Sequence, residues 1–209
     1  MEQIKNIIFD LGGVIINLEV NKTISEFNKI SNTPFESIYT SLQQNIIFDL
    51  FDKGLVTETE FFKELQMLLK SKVANEDLIF AWNAMLLDFP VNRLHTLNKL
   101  KSKYRLFLLS NTNETHITSF ENSLFNAHGY KNLESFFEKV YYSCRMKMRK
   151  PDLEIFEHVI KENNLLPSET LFIDDTIHHV NGAQKAGINA LLLAKNKEFE
   201  HLFIENGIL

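Results

Sequence analysis

The run Ile7-Ile8-Phe9 passes directly into Asp10, and Leu11-Gly12-Gly13-Val14 follows at once. A short apolar run with β-branched residues, bounded by turn formers, predicts a strand buried on both faces, as in parallel sheets. In such sheets ligands sit beyond the carboxyl ends of the strands, which is where Asp10 falls. The two glycines let the backbone turn sharply and come close to a ligand. Asp10 itself fits three roles: a nucleophile, a metal ligand, or a turn residue that bonds its own downstream backbone.

From Val91 onward the chain alternates strand and helix signals. Leu94, Leu97 and Leu100 mark a helix face, and Arg105 to Leu109 reads as a strand ending in Ser110-Asn111-Thr112. A strand at Lys139 to Ser143 comes next. Pro151 suits the first position of a helix running to about Glu162. Leu171-Phe172-Ile173 is a strand ending in Asp174-Asp175. A helix from about His178 to Ala186 closes at Gly187, and Ala190 to Leu193 is the last strand. This rhythm predicts an α/β fold, a Rossmann-like parallel sheet flanked by helices.

Between Asn17 and Phe89 the signals are helical. Val20 to Ile30 is amphipathic and stops at Ser31-Asn32-Thr33-Pro34, which also starts another helix. Ile46 to Phe51 is apolar with Asp49 and Asp52 interleaved, and Lys53-Gly54 closes it. Thr57 and Glu60 form a capping box, followed by Phe61, Leu65, Leu68 and Leu69 on one face. Glu76 to Leu87 is a helix stopped near Asp88-Phe89-Pro90. The expected organisation is an α/β core of residues 1–16 and 90–209, with an inserted α-helical domain at 17–89.

The chain has 209 residues, 44% hydrophobic and 23% charged, the profile of a soluble globular protein. A formal net charge of -5 argues against nucleic acid or an anionic membrane as partner. One cysteine, Cys144, excludes an internal disulfide and suits a reducing compartment. No apolar run reaches membrane-spanning length, and Glu2, Lys5 and Asp10 interrupt any signal-peptide pattern. A cytoplasmic location is expected; nothing in the sequence marks an oligomeric state.

Asp10, Ser110, Lys150 and the pair Asp174-Asp175 all fall at or just past the ends of expected strands, which share one edge in a parallel sheet. Asp10 and Asp175 offer hard oxygens for Mg²⁺, which takes one or two carboxylates, waters and a phosphate. Ser110 offers a hydroxyl, and the amides after it face a possible anion. Lys150 supplies a compact positive charge. Together these are the parts of phosphoryl transfer through an aspartyl-phosphate. Within Arg145 to Lys150, Lys150 is expected at the site and its basic neighbours in solvent. His178 and His179 face apart on a helix and are expected at the surface or in a structural role. Cys144 is expected to be a packed thiol, and Trp82, Phe48 and Phe51 to be core.

Four of these segments resemble the motifs of the haloacid dehalogenase-like (HAD) hydrolases across nearly the whole chain. Phe9 to Val14 resembles the first motif, Leu108 to Asn113 the second, Met148 to Asp152 with Ile155-Phe156 the third, and Phe172 to Asp175 the fourth. The resemblance implies that the helical insert is a cap and Asp10 the nucleophile, with Lys150 as the catalytic lysine. Ser110, Asn111 and Gly12 would contact substrate. Asp10, the Gly12 carbonyl, Asp175 and Asp174 would hold or surround Mg²⁺. The wording of the first three motifs is similar to the branch containing α-D-glucose-1-phosphate phosphatases, which implies a small phosphorylated metabolite as substrate. The chain departs from the wider family in two places. Gly12 stands where phosphatases carry a second Asp as acid and base, a group worth ~10²–10⁴-fold, and His179 stands where Asn is common. A phosphatase is therefore expected. The alternatives are a weakly active or inactive binding protein, because of Gly12, and a metal-independent 2-haloacid dehalogenase.

Overall fold

The computed structural model describes residues 4–32, 34–35, 46–195 and 197–209. After β1 (Asn6–Phe9) come α1 (Val20–Ile30), α2 (Ile46–Asp52), α3 (Glu58–Leu69) and α4 (Asn75–Asn83). Then follow α5 (Val91–Lys101), β2 (Arg105–Ser110), α6 (Glu114–His128), β3 (Lys139–Tyr142) and a one-turn α7 (Ser143–Met146). The chain ends with α8 (Leu153–Glu162), β4 (Thr170–Asp174), α9 (Ile177–Lys185), β5 (Asn189–Leu192) and α10 (Phe199–Glu205).

All strands run parallel in the order β3-β2-β1-β4-β5, with β1 central and wholly buried. Side chains alternate faces along a strand, so the two faces can be read from β1 outward. Ile7 and Phe9 join Leu106, Leu108, Leu171 and Ile173 on one face, covered by α5, α6 and α10. Ile8 joins Phe107, Leu109 and Phe172 on the other, covered by α8 and α9. Both faces are apolar because both are covered. This is the expected α/β sheet flanked by helices.

Helices α1 to α4 bury a separate aromatic-rich cluster that includes Phe27, Phe51, Phe61, Phe62, Leu65 and Trp82. Phe51 stacks on Phe61 with ring centroids 4.0 Å apart. Two connectors join these helices to the sheet, and they pair with each other. Asn17 N donates to Asp88 O, Leu87 N to Asn17 O, and Glu19 N to Met85 O, all within 2.9–3.0 Å. That pairing explains why α4 stops at Asn83 and not at Leu87 as expected. The amides of Leu87 and the carbonyls of Met85 and Asp88 are used between connectors.

Other boundaries shift for local reasons. Ser110 belongs to β2, whereas Ser143 leaves β3 to open α7. Pro151 lies ahead of α8, whose N-cap position is Asp152, and does not occupy the first turn. Helix α10 lacked a sequence signal strong enough to predict. The helix expected to start after Ser31–Pro34 lies outside the described residues. Among the described residues, no helix is long and apolar enough to cross a membrane.

The capping box forms as expected. Glu60 N donates to Thr57 Oγ1 at 3.2 Å, and Thr57 N donates to Glu60 Oε2 at 2.7 Å. Thr57→Ala removes one half of it and is expected to cost about 1 kcal/mol. Urea denaturation checks this; a midpoint equal to that of the parent protein would contradict it.

Candidate active site

The end of β1 lies level with the end of β4, since Phe9 pairs with Ile173 and Asp10 N donates to Ile173 O at 2.8 Å. Asp10 and Asp174 therefore leave adjacent strands side by side. Past Asp10 the chain turns at Gly13, which has φ +69°, a left-handed conformation open to glycine. A Cβ on Gly13 would also collide with the Asp175 carboxylate. Gly12 is different. A Cβ there would meet the tip of Leu18, 2.6 Å from Cδ1.

Asp10, Asp174 and Asp175 each offer a carboxylate oxygen, and these oxygens lie within 4.8 Å of one another. Against them stands Lys150, whose side chain is 0% exposed. Its Nζ donates to Asp10 Oδ1 and to Asp174 Oδ2, each at 2.7 Å. Burial alone would strip the proton from Lys150, but the two carboxylates override it and hold its pKa above the usual value. Burial likewise pushes Asp174 up, and Lys150 with His179 outweighs it, leaving Asp174 below the carboxylate range. His179 Nδ1 lies 3.0 Å from Asp174 Oδ2, and Thr176 N donates to Asp174 Oδ1 at 2.8 Å.

Asp10 shows the imbalance. Burial, with Asp174 and Asp175 adding like charge, raises its pKa to about 7 despite Lys150. Burial and Asp174 push Asp175 up as well. Three carboxylates with one ammonium carry excess negative charge. A hard divalent cation offsets such charge, and an oxygen donor set of this kind fits Mg²⁺.

Ser110 is buried at the end of β2, and its hydroxyl has only a long 3.5 Å approach to Asn111 O. The cap of the next helix is another residue: Asn113 accepts from His116 N at 3.1 Å. Ser110 is thus not consumed as a helix cap. Asn111 also positions Lys150. Its Nδ2 donates to Lys150 O and its Oδ1 accepts from Lys150 N, both at 2.9 Å. That reciprocal pair fixes the main chain of Lys150.

Ser110, Asn111 and Gly12 line a cavity of ≈ 290 Å³ between the sheet edge and the helices α2 and α4. From the helical side come Phe48, Asp52 and Trp82, and from the sheet side Asn113, His116 and Arg149. Trp82 is both core and wall: it is buried, stacks on the His116 ring at 5.1 Å, and borders the cavity. Burial pushes His116 down to about 3, so the ring is neutral. Asn83 Oδ1 accepts from its Nδ1 at 2.8 Å.

The basic segment before Lys150 is not simply solvated. Arg149 pairs with Asp49 at 2.5 Å, and Lys147 donates to Gly54 O, so both turn toward the helical part. Arg145 pairs with Glu114 at 2.7 Å. His178 is exposed, while His179 reaches the acidic cluster. Cys144 is a packed thiol, pushed up to about 12 by burial and Glu114. Asp52 carried no motif that marked it for the cavity, and Asn113 and Arg149 lay in motif segments without being singled out as site residues.

The comparisons with known proteins agree with this geometry. A family model described as haloacid dehalogenase-like hydrolase matches residues 7–193. The D-ribitol-5-phosphate phosphatase of Bacteroides thetaiotaomicron is 31% identical over 204 residues, covering 98% of this chain and 93% of that protein. A HAD family enzyme of the same organism, solved with magnesium and inorganic phosphate, superposes with a TM-score of 0.87 at 38% identity. That match covers 96% of this chain and 99% of the other. An aspartate-to-alanine mutant of that enzyme, also with magnesium and phosphate, gives 0.90 at 37% identity over 96% of this chain and 98% of its own. On the family match and on relatives aligned along nearly its full length, the chain belongs to the haloacid dehalogenase-like hydrolases.

Proposed function

We propose that the protein is a Mg²⁺-dependent cytoplasmic phosphatase for a small phosphorylated metabolite, of the polyol or sugar phosphate class, with Asp10 as nucleophile. The observation that carries this reading is the acidic cluster of Asp10, Asp174 and Asp175, bridged by the buried Lys150 ammonium and set beside a cavity lined by Ser110. The relatives support it, one being a ribitol-phosphate phosphatase and another holding magnesium and phosphate. The cavity is at the small end of ligand sites, which suits a short polar substrate.

Asp10, Asp175 and the Gly12 carbonyl would hold Mg²⁺, with Asp174 beside them. Bound there, the ion would offset the carboxylates and the incoming phosphate together, which favours ionised Asp10. Ser110 Oγ donates to a phosphoryl oxygen. Ionised Asp10 attacks phosphorus and carries the phosphoryl group until water displaces it. Lys150 keeps the Asp10 and Asp174 carboxylates in place, and Asn111 keeps Lys150 in place. The helical unit at 17–89 acts as a cap over the core formed by 1–16 and 90–209.

With Mg²⁺ present, phosphate release from p-nitrophenyl phosphate and from a panel of polyol phosphates is expected, and excess EDTA should abolish it. Asp10→Asn is expected to bring release to background; release equal to the parent protein would rule out Asp10 as nucleophile. A binding protein would retain phosphate esters without turning them over.

Lys150→Met tests the charge arrangement. It leaves two buried carboxylates without their cation, a loss of about 3–5 kcal/mol. Chemical denaturation should show that loss together with loss of phosphate release. A variant as stable as the parent would mean that the carboxylates find other compensation.

A further inference from the structure

Asp52 is a carboxylate in the cavity to which the phosphoryl-transfer site as described gives no role. It ends α2, and its position is tied to the sheet side: Ser143 Oγ donates to Asp52 O at 2.6 Å. Its side chain keeps 27% of its surface accessible and lines the cavity shared with Gly12 and Ser110. The nearest cation does not neutralise it through a hydrogen bond. Arg149 Nη2 is 4.0 Å from Asp52 Oδ2, because Arg149 engages Asp49 closely instead.

Two donors in the same cavity are also unspent. Asn113 Nδ2 and Arg149 Nε are buried and lack a hydrogen-bond partner. Asn113 Nδ2 faces the Asp52 carboxylate and favours its ionised form, but falls short of a full hydrogen bond. Buried donors left unmade cost about 1–3 kcal/mol each, so such a group in a cavity points to a ligand that supplies the acceptor. A carboxylate beside unpaired donors suits a substrate rich in oxygen.

The geometry points to Asp52 as the proton donor and acceptor for the leaving-group oxygen, supplied from the helical unit because Gly12 has no side chain. This rests on the phosphatase reading. In the first step Asp10 attacks phosphorus, the ester P–O bond breaks, and the ester oxygen takes the bonding pair and the proton of Asp52. In the second, water attacks phosphorus and gives its proton to the Asp52 carboxylate. The bond to Asp10 breaks, and its electrons return to the Asp10 carboxylate. Asp52 thus ends protonated, as it began. Burial raises its pKa to about 6, against Arg149 and Asn113 and with Asp49 adding to the rise, so both forms are accessible near neutral pH.

Single-turnover rates of leaving-group release with Mg²⁺ on two substrates test this, because they read the first step alone. A p-nitrophenyl leaving group needs no proton, whereas a simple alkyl or polyol group does. Asp52→Asn is expected to lower the ratio of alkyl to aryl rate by about 10²–10⁴-fold. Asp77→Asn, exposed on α4 and outside the cavity, should leave the ratio alone. An unchanged ratio in Asp52→Asn, or equal loss on both substrates, overturns the proposal. In the parent protein, rates across esters of different leaving-group pKa should vary little, and a steep dependence there overturns it without any variant. A parent protein that releases phosphate from neither substrate removes the phosphatase reading itself, and this role with it.

Discussion

A lysine with no exposed surface is held between two carboxylates, and the rest of the site depends on that contact. Taking an ammonium out of water costs several kcal/mol, and only close, well-aligned partners offset it. Lys150 has them in Asp10 and Asp174, and its ammonium also lies over the Phe172 ring at 5.3 Å. The fold supplies this geometry twice over. The parallel register of β1 and β4 brings the two carboxylates together. The Asn111 side chain holds the Lys150 main chain from one side. From the other, Gly182 lets α9 lie close, since a Cβ there would come within 2.6 Å of Pro151 O.

That contact leaves the charge unbalanced, and the imbalance is useful. Lys150 donates to Asp10 and Asp174, but Asp175 has no cation of its own, and Asp10 is left with a pKa of about 7. A site that was neutral without its ion would have little reason to recruit one. The helical unit adds the cavity wall and is tied to the core by polar contacts: Arg149 to Asp49, Ser143 to Asp52, Lys53 to Asp152, Thr115 to Glu58, His116 to Asn83 and Lys147 to the Gly54 carbonyl.

The sheet was legible because its strands are short apolar runs buried on both faces, a pattern with one common physical cause. The site was legible to the extent that it lies at strand ends: Asp10, Ser110, Asp174 and Asp175 follow directly from where the runs stop. Lys150 follows less directly, since it lies several residues past its strand and its neighbours are also basic. What the sequence hid are contacts between distant segments. Nothing local distinguishes Arg149, which turns to the helical unit, from a solvated arginine. The two bonds by which Asn111 holds Lys150 are invisible locally, and α4 ends early because of a partner segment 71 residues away in sequence, as the bond between Asn17 N and Asp88 O shows.

The adjacent glycines show the same limit from the other direction. In the sequence they look alike, but the structure requires only one of them on backbone grounds. Gly13 is fixed by its φ and by the Asp175 carboxylate against it. At Gly12 the space is taken by Leu18, and Leu18 belongs to the connector that pairs with Leu86. A side chain at Gly12 would displace only the tip of Leu18, which is exposed and free to turn. Space does not forbid an acid there; the chain simply has none at that position. The proposed proton donor therefore comes from another part of the cavity wall, where Asp52 is the carboxylate present.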